Sequence, residues 1–261
     1  MFIMTIEWLG KYYGSKPDQV EQAKNWMLQY AKEIATPRQM EEWKFWKHLQ
    51  EYLPNTPDII QQCLDKITGQ FEFDSELQAH KFVNMLRVPI SDSYEQALDV
   101  VKPKTILELG VGGDSGISTS VYLAYIEKNG NYLQSIELNP LGMTGERFAQ
   151  YLGTIWRFKY DDSVTWLNQK VAEDHRYDMI FIDTSHTYEH TKAEMKAASL
   201  ITNNMLMDDA LFPGNETDKV QGGVVRAIAE WVENNKEWEK IDFWGGNTVL
   251  LQKKELKKVK K

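Results

Sequence analysis

The chain has 261 residues, of which 42% are hydrophobic and 26% charged, with a formal net charge of -8. This length can bury a full core as one large domain, or as one domain with an extension. The negative charge disfavours nucleic acid and anionic membranes as partners. The sequence contains no run of about 18 apolar residues of the kind that would predict a membrane span. The single cysteine, Cys63, cannot form an internal disulfide, so we expect a cytoplasmic setting.

The first region, residues 1–92, is predicted to be a helical extension. Apolar side chains recur there at helical spacing between proline and glycine breaks. Helices are expected near residues 20–34, 37–53, 58–67 and 75–86. We interpret the stripe that contains Trp43 and Trp46 as packing rather than a ligand surface. The extension is expected to provide substrate or homo-oligomer contacts.

Residues 93–253 alternate strand and helix patterns, which predicts a doubly wound, mostly parallel, seven-stranded α/β domain. Strands are expected at Thr105–Leu109, Tyr132–Glu137, Trp156–Tyr160, Tyr177–Ile182, Asn204–Met207, Lys240–Phe243 and Asn247–Leu251. Helices are expected near residues 94–101, 118–128, 141–152, 164–172, 188–200 and 220–234. The last two strands are too close in sequence for a crossover helix, so the last strand must pair antiparallel. Residues 254–261 form a basic tail that we expect to be solvated.

The stretch KTILELGVGGDSG, residues 104–116, predicts a buried strand, a glycine-rich turn and the start of a helix. Such a turn holds a nucleotide-like cofactor at a helix N-terminus. Gly110, Gly112 and Gly116 also fit the spacing of some nicotinamide cofactor sites, so an NAD(P)-dependent oxidoreductase is an alternative. Asp114 would repel a pyrophosphate in that loop, and a cationic cofactor therefore fits better.

Acidic residues lie at or just after the carboxyl ends of the predicted strands, where open parallel sheets bind ligands. They are Glu108, Glu137, Asp161, Asp162, Asp183, Asp208 and Asp209. Acids are common in loops and at helix starts, which could explain any one of these positions. The whole set is better explained by one ligand crevice.

The ordered motifs ELGVGG, SIELNP, DDSVTWL, YDMIFIDTSHTYEH and MLMDDA resemble class I S-adenosylmethionine-dependent methyltransferases across residues 93–253. The FID-x-x-H-x-Y-E run and the following DD pair are similar to metal-dependent small-molecule O-methyltransferases of the macrocin and cephalosporin-biosynthesis type. The resemblance implies a Rossmann-like methyltransferase fold, S-adenosylmethionine as cofactor, a divalent metal, expected to be magnesium, and a small-molecule hydroxyl acceptor. A second alternative is a non-enzymatic binding protein that uses the N-terminal helices.

The resemblance also implies roles for single residues. The methionine part of the cofactor is expected at Glu108, Gly110 and Gly112. Glu137 matches the acid that accepts both ribose hydroxyls, while Asp162 and Ser163 match the pair beside the adenine. A carboxylate suits both contacts because it accepts hydrogen bonds from hydroxyl and amino groups.

A hard cation is expected between acids that would otherwise repel one another. Its predicted ligands are Asp183, Asp208 and Asp209. His186, three residues after Asp183, is the predicted general base, since catechol O-methyltransferases, which this segment resembles, carry a lysine at that spacing. Asp183 and His186 are thus the predicted catalytic residues, with His190 second to His186 as the base. Ser185 departs from many relatives, which carry a second acid there.

Overall fold

A computed structural model describes residues 2–4, 71–87, 92–111, 116–210, 223–243 and 248–254. The chain divides into two compact units, Met1–Asp92 and Ser93–Lys261. The first three predicted helices, Gly112 and most of the basic tail lie outside the described residues.

The first unit contains a small antiparallel sheet that was not predicted from the sequence. Strand β1 (Phe2–Met4) pairs with β2 (Phe71–Phe73). Helix α1 (Glu76–Arg87) follows, in agreement with the helix expected near residues 75–86. The pairing joins segments that are distant in sequence, so no local pattern indicates it.

The second unit is built around a seven-stranded sheet. Its strands are β3 (Thr105–Leu109), β4 (Tyr132–Glu137), β5 (Trp156–Tyr160), β6 (Met179–Ile182), β7 (Asn204–Met207), β8 (Trp238–Asp242) and β9 (Val249–Lys253). Its helices are α2 (Asp92–Val101), α3 (Ile117–Asn129), α4 (Gly142–Phe148), α5 (Ser163–Ala172), α6 (Tyr188–Ala198) and α7 (Gly223–Asn234).

The strand order is β5-β4-β3-β6-β7-β9-β8. The first five strands in this order are parallel, whereas β9 runs antiparallel to both β7 and β8. The predicted doubly wound sheet with an antiparallel last strand is therefore confirmed. The chain leaves β3 toward β4 on one side and later returns to β6 on the other, which makes the carboxyl end of β3 the topological switch point.

Several element boundaries differ from the predicted ones by a few residues. The strand expected from Tyr177 begins at Met179, because the Tyr177 amide donates to the Ile201 carbonyl outside the β-ladder. Strands β8 and β9 each lie about two residues from their expected positions. The helix expected across residues 141–152 ends at Phe148 and continues as one 3-10 turn, Ala149–Tyr151.

The core lies against the central strands, which are covered on both faces. Ile106, Leu107 and Leu109 of β3 are fully buried, and every residue of β6 is buried. Continuous burial of this kind is typical of parallel strands with helices on both sides. In the described part of the chain, no helix has the length and apolar character needed to span a membrane.

Candidate active site

A crevice of about 390 Å³ opens at the carboxyl ends of β3, β4, β5 and β6. Its walls combine backbone from the turns with polar and acidic side chains. The lining residues are Gly110, Ile136, Glu137, Leu138, Asn139, Asp161, Ser163, Asp183, Thr184, Ser185, His186 and His190. The crevice thus lies at the switch point, where open α/β sheets bind their ligands.

Gly110 forms the floor of the crevice at the end of β3. Its φ of 86° lies in the left-handed region, and its amide donates to the Ile136 carbonyl at 3.0 Å. A Cβ atom at this position would lie 1.7 Å from the carbonyl oxygen of Asp183. Only glycine permits this close approach of the β3 turn to the β6 turn.

Glu137 ends β4 and joins two turns of the crevice. Its Oε2 accepts a hydrogen bond from the Val111 amide at 3.0 Å. Its Oε1 accepts from the Leu138 amide at 2.8 Å and from both the backbone and the side-chain amide of Asn139. Glu137 therefore lies on the crevice wall, as expected for a cofactor ligand, and also holds the turn after β3.

Glu108 does not reach the crevice. Its side chain is fully buried beneath the glycine turn, where Ser118 and Thr119 of α3 and Ser135 of β4 donate hydroxyl hydrogen bonds to its carboxylate. Ser135 in turn accepts from the Trp156 indole at 2.9 Å. Burial raises the pKa of Glu108 to about 7, although the three hydroxyl bonds lower it. This position does not support the contact predicted between Glu108 and the methionine part of the cofactor.

The expected adenine-side pair, Asp162 and Ser163, is found at the start of α5. Asp162 is the N-cap, and its Oδ1 accepts from the Thr165 amide at 2.8 Å. Ser163 lines the crevice and is buried, and its hydroxyl contacts His190 and Glu194. Ser163 is thus part of the crevice wall, whereas one oxygen of Asp162 caps the N-terminus of α5.

Asp183, His186 and Asp209 form a cluster of half-buried side chains at the ends of β6 and β7. One donor atom from each lies within 4.8 Å of the other two. The Nε2 of His186 is 2.8 Å from Oδ1 of Asp183 and 3.4 Å from Oδ2 of Asp209. His186 and Asp209 have φ angles of 57° and 48°, so both side chains are placed by a left-handed backbone that is unusual outside glycine.

Asp208, a predicted metal ligand, is not one of the three side chains in this cluster. Its Oδ2 accepts from the Tyr94 hydroxyl at 2.8 Å, and its Oδ1 accepts from the Thr248 hydroxyl at 2.9 Å. Burial and the neighbouring charge of Asp183 raise the pKa of Asp208 to about 6. The structure therefore brings together two of the three predicted ligands, Asp183 and Asp209, with His186 as the third member of the cluster.

The protonation state of His186 determines whether it can act as the predicted base. Its hydrogen bond to Asp183 raises the pKa of the imidazole above its ordinary value, and the charges of Asp183 and Asp209 act in the same direction against partial burial. A raised pKa leaves less of the neutral ring that a base requires at neutral pH. The role of His186 as base stays a prediction, and its position also suits a metal ligand.

Glu194, a buried residue of α6 behind the crevice wall, is not among the predicted site residues. It contacts Thr184 and His190, both of which line the crevice. The spacing of His190 and Glu194, four residues apart on a predicted helix, is the sequence signal that indicates their contact.

No local pattern indicates the partners of Asp208, because Tyr94 and Thr248 are distant in sequence.

The sheet order and the crevice define an open α/β domain of the kind that binds nucleotide-like cofactors at its switch point. Residues 107–204, from β3 to the start of β7, match a family described as "Methyltransferase domain". This match supports a methyltransferase assignment for residues 107–204 of the second unit. The match agrees with the predicted methyltransferase and does not favour the oxidoreductase alternative.

Solved structures share this fold at low sequence identity. An O-methyltransferase from Bacillus cereus in complex with S-adenosylhomocysteine is 17% identical, with a TM-score of 0.53, and the match covers 75% of this chain and 96% of that one. TomG from Streptomyces achromogenes, an O-methyltransferase involved in tomaymycin synthesis and solved with S-adenosylmethionine, is 15% identical, with a TM-score of 0.51 and coverage of 70% and 92%. No curated protein matches the chain in a sequence search.

Proposed function

We propose that the protein transfers a methyl group from S-adenosylmethionine to a hydroxyl oxygen of a small molecule, with the assistance of a divalent cation. The observation that carries this proposal is one crevice that bears Glu137 on one side and the cluster of Asp183, His186 and Asp209 on the other. In the reaction, a carbon–oxygen bond forms as the methyl carbon–sulfur bond breaks, and the hydroxyl proton passes to a base. Such a displacement depends mainly on the alignment of donor and acceptor.

The cofactor side of the crevice fits the adenosine part of S-adenosylmethionine. Oε2 of Glu137 accepts one hydrogen bond within the described residues, which leaves it able to accept a ribose hydroxyl. Oε1 already accepts three, so a second hydroxyl requires the Asn139 side-chain amide to move away. Leu138 lines the crevice with 66% of its surface exposed and offers an apolar contact for a base.

The cluster of Asp183, His186 and Asp209 has the chemistry of a divalent metal site. Its donors are two carboxylates and one imidazole. Magnesium prefers oxygen ligands, whereas manganese and other first-row transition ions also accept imidazole nitrogen. We therefore propose manganese, in addition to the predicted magnesium, as a cation that this site can bind. When bound, such a cation would lower the pKa of an acceptor hydroxyl and stabilise the resulting oxyanion.

The two roles considered for His186 are chemically distinct. Its Nε2 is the atom that faces Asp183 and Asp209, so a ligand role uses that nitrogen. A base that takes the acceptor proton would then have to use Nδ1. In His186→Ala, loss of a ligand would weaken manganese binding, whereas loss of a base alone would leave manganese binding intact and reduce turnover about 100-fold.

The acceptor and self-association roles expected for residues 1–92 are also proposals, as is a cytoplasmic location. Light scattering on the full-length protein would report a dimer or larger assembly if these residues provide homo-oligomer contacts. A monomer at all concentrations would remove the oligomer proposal and leave acceptor binding as the proposed role of this region.

Methyl transfer can be tested before the natural acceptor is known. The full-length protein would be incubated with S-adenosylmethionine and a panel of phenols, sugars and macrolides, and S-adenosylhomocysteine release would be measured. We expect release with at least one hydroxyl compound, raised by manganese or magnesium and lowered by chelation. Turnover that survives exhaustive chelation and is not raised by either ion would contradict the metal role. Exclusive methylation of amines would contradict O-methylation.

A further inference from the structure

Glu194 is a fully buried carboxylate on α6 that is hydrogen-bonded on three sides. It accepts from the Ser163 hydroxyl of α5, from the Thr184 hydroxyl at 2.9 Å and from the His190 ring at 3.2 Å. A buried carboxylate is costly unless it is paired, so these donors are what makes its position tolerable. The three donors come from three segments, and all of them line the crevice.

The hydrogen-bond network assigns the protons of this group. Ser163 donates its hydroxyl proton to Glu194, so its oxygen is free to accept from Nε2 of His190 at 2.9 Å. Nε2 also faces the Glu194 carboxylate, which can only accept. Nε2 of His190 must therefore carry a hydrogen, because both of its neighbours are acceptors toward it.

This arrangement differs from that of a nucleophilic serine. In a Ser-His-acid triad the acid bonds one ring nitrogen and the serine gives its proton to the other. Here Glu194 and Ser163 share the same nitrogen of His190, and Ser163 gives its proton to the acid. These hydrogen bonds between Ser163, His190 and Glu194 therefore stabilise the crevice wall and do not activate Ser163.

The second ring nitrogen of His190, Nδ1, is left for a ligand. The His190 side chain is 26% exposed and lines the crevice, and within the described residues Nδ1 has no hydrogen-bond partner. Nδ1 accepts a hydrogen bond when the ring is neutral and donates one when it is protonated. The edge of an adenine carries both an amino donor and ring-nitrogen acceptors, so either form finds a complement there.

We infer that Glu194 is a positioning residue that holds Ser163 and His190 as the polar wall for the adenine, and that Nδ1 of His190 contacts the adenine edge. The inference rests on the proposed function, because it places the adenosine part of S-adenosylmethionine in this crevice. His190 is thus a ligand-contacting residue, and Glu194 acts through it.

The test compares S-adenosylhomocysteine binding by calorimetry in the full-length wild type and in Glu194→Gln. The glutamine preserves the shape but removes the negative charge, so the hydrogen bonds that hold Ser163 and His190 lose their charge assistance. We expect affinity to fall at least about tenfold, the effect of one lost charged hydrogen bond. Glu189→Gln, an exposed position on the same helix, is the matched control and should bind like the wild type.

A second variant covers the case in which Glu194→Gln fails to fold. His190→Gln keeps a donor that reaches Glu194 and Ser163 but lacks an atom at the place of Nδ1. We again expect at least about a tenfold loss of affinity. Wild-type affinity in His190→Gln would overturn the contact between His190 and the adenine.

An NMR titration of the His190 ring separates positioning from a merely structural role. The hydrogen bond with Glu194 raises the pKa of His190 above its ordinary value, despite partial burial. That pKa should fall in folded Glu194→Gln, together with the affinity. An unchanged His190 titration and unchanged binding in a folded Glu194→Gln would overturn the inference. If the wild type binds no S-adenosylhomocysteine, the proposed function itself fails and the inference fails with it.

Discussion

Replacement of Glu108 by glutamine should change how the stability of the protein depends on pH. Burial raises the pKa of this carboxyl from 4.5 to about 7. Between these values the folded state keeps a proton that the unfolded state has already lost. The free energy of unfolding therefore falls as pH rises through this window, because fewer protons are bound in the unfolded state.

The magnitude follows from the same two pKa values. At about 1.4 kcal/mol for each tenfold change in proton affinity, a rise from 4.5 to about 7 corresponds to about 3 kcal/mol. Glu108 is fully buried, so solvent does not screen this contribution. Glu108→Gln removes the titration while keeping the side-chain shape beside Ser118, Thr119 and Ser135. The free energy of unfolding of the variant, relative to wild type, should therefore rise by about 3 kcal/mol from pH 4.5 to pH 8.

The assay is urea unfolding followed by circular dichroism at several pH values between about 4.5 and 8. Asp208, whose raised pKa acts with the same sign, is present in both proteins and cancels in the comparison. Glu233→Gln, an exposed position on α7, is the control and should keep the wild-type slope. Equal pH slopes for wild type and Glu108→Gln would refute the reasoning. Because Glu108 does not line the crevice, S-adenosylhomocysteine affinity should also survive in this variant.

Three further substitutions test the crevice. Glu137→Ala should lose roughly 1.5 to 3 kcal/mol of S-adenosylhomocysteine affinity by calorimetry, the usual cost of a lost charged hydrogen bond, and unchanged affinity would remove Glu137 from the site. Gly110→Ala should lower the melting temperature and abolish binding, since its Cβ would clash with the Asp183 carbonyl; a normal melting curve would contradict the close approach. Asp209→Asn should weaken manganese binding, followed by electron paramagnetic resonance, at least about tenfold, and more than Asp208→Asn does; the reverse order would restore Asp208 as a ligand.

The sequence was sufficient to predict the sheet and the crevice edge because both follow from short-range patterns. Apolar runs such as Thr105–Leu109 indicate the buried strands. Because helical segments connect consecutive strands, these strands are expected to pair in parallel. Acids such as Glu137 and Asp183 lie at strand ends or directly after them in the sequence. Their placement on the crevice wall can therefore be predicted without knowledge of tertiary contacts.

The direction of each side chain could not be predicted, because it depends on tertiary partners. Glu108 points inward because α3 and β4 present hydroxyl donors there. Both carboxylate oxygens of Asp208 accept hydrogen bonds from Tyr94 and Thr248, which lie in distant parts of the chain. Positive φ angles in non-glycine residues of the cluster, such as His186, have no clear sequence signal either.

Calorimetric titration of the full-length wild type with S-adenosylhomocysteine, and separately with NAD⁺ and NADP⁺, tests most directly whether this crevice holds the methyl donor. We predict saturable, one-to-one binding of S-adenosylhomocysteine that competes with S-adenosylmethionine, and no binding of either nicotinamide nucleotide. Saturable binding of NAD⁺ or NADP⁺ without binding of S-adenosylhomocysteine would contradict the methyltransferase assignment.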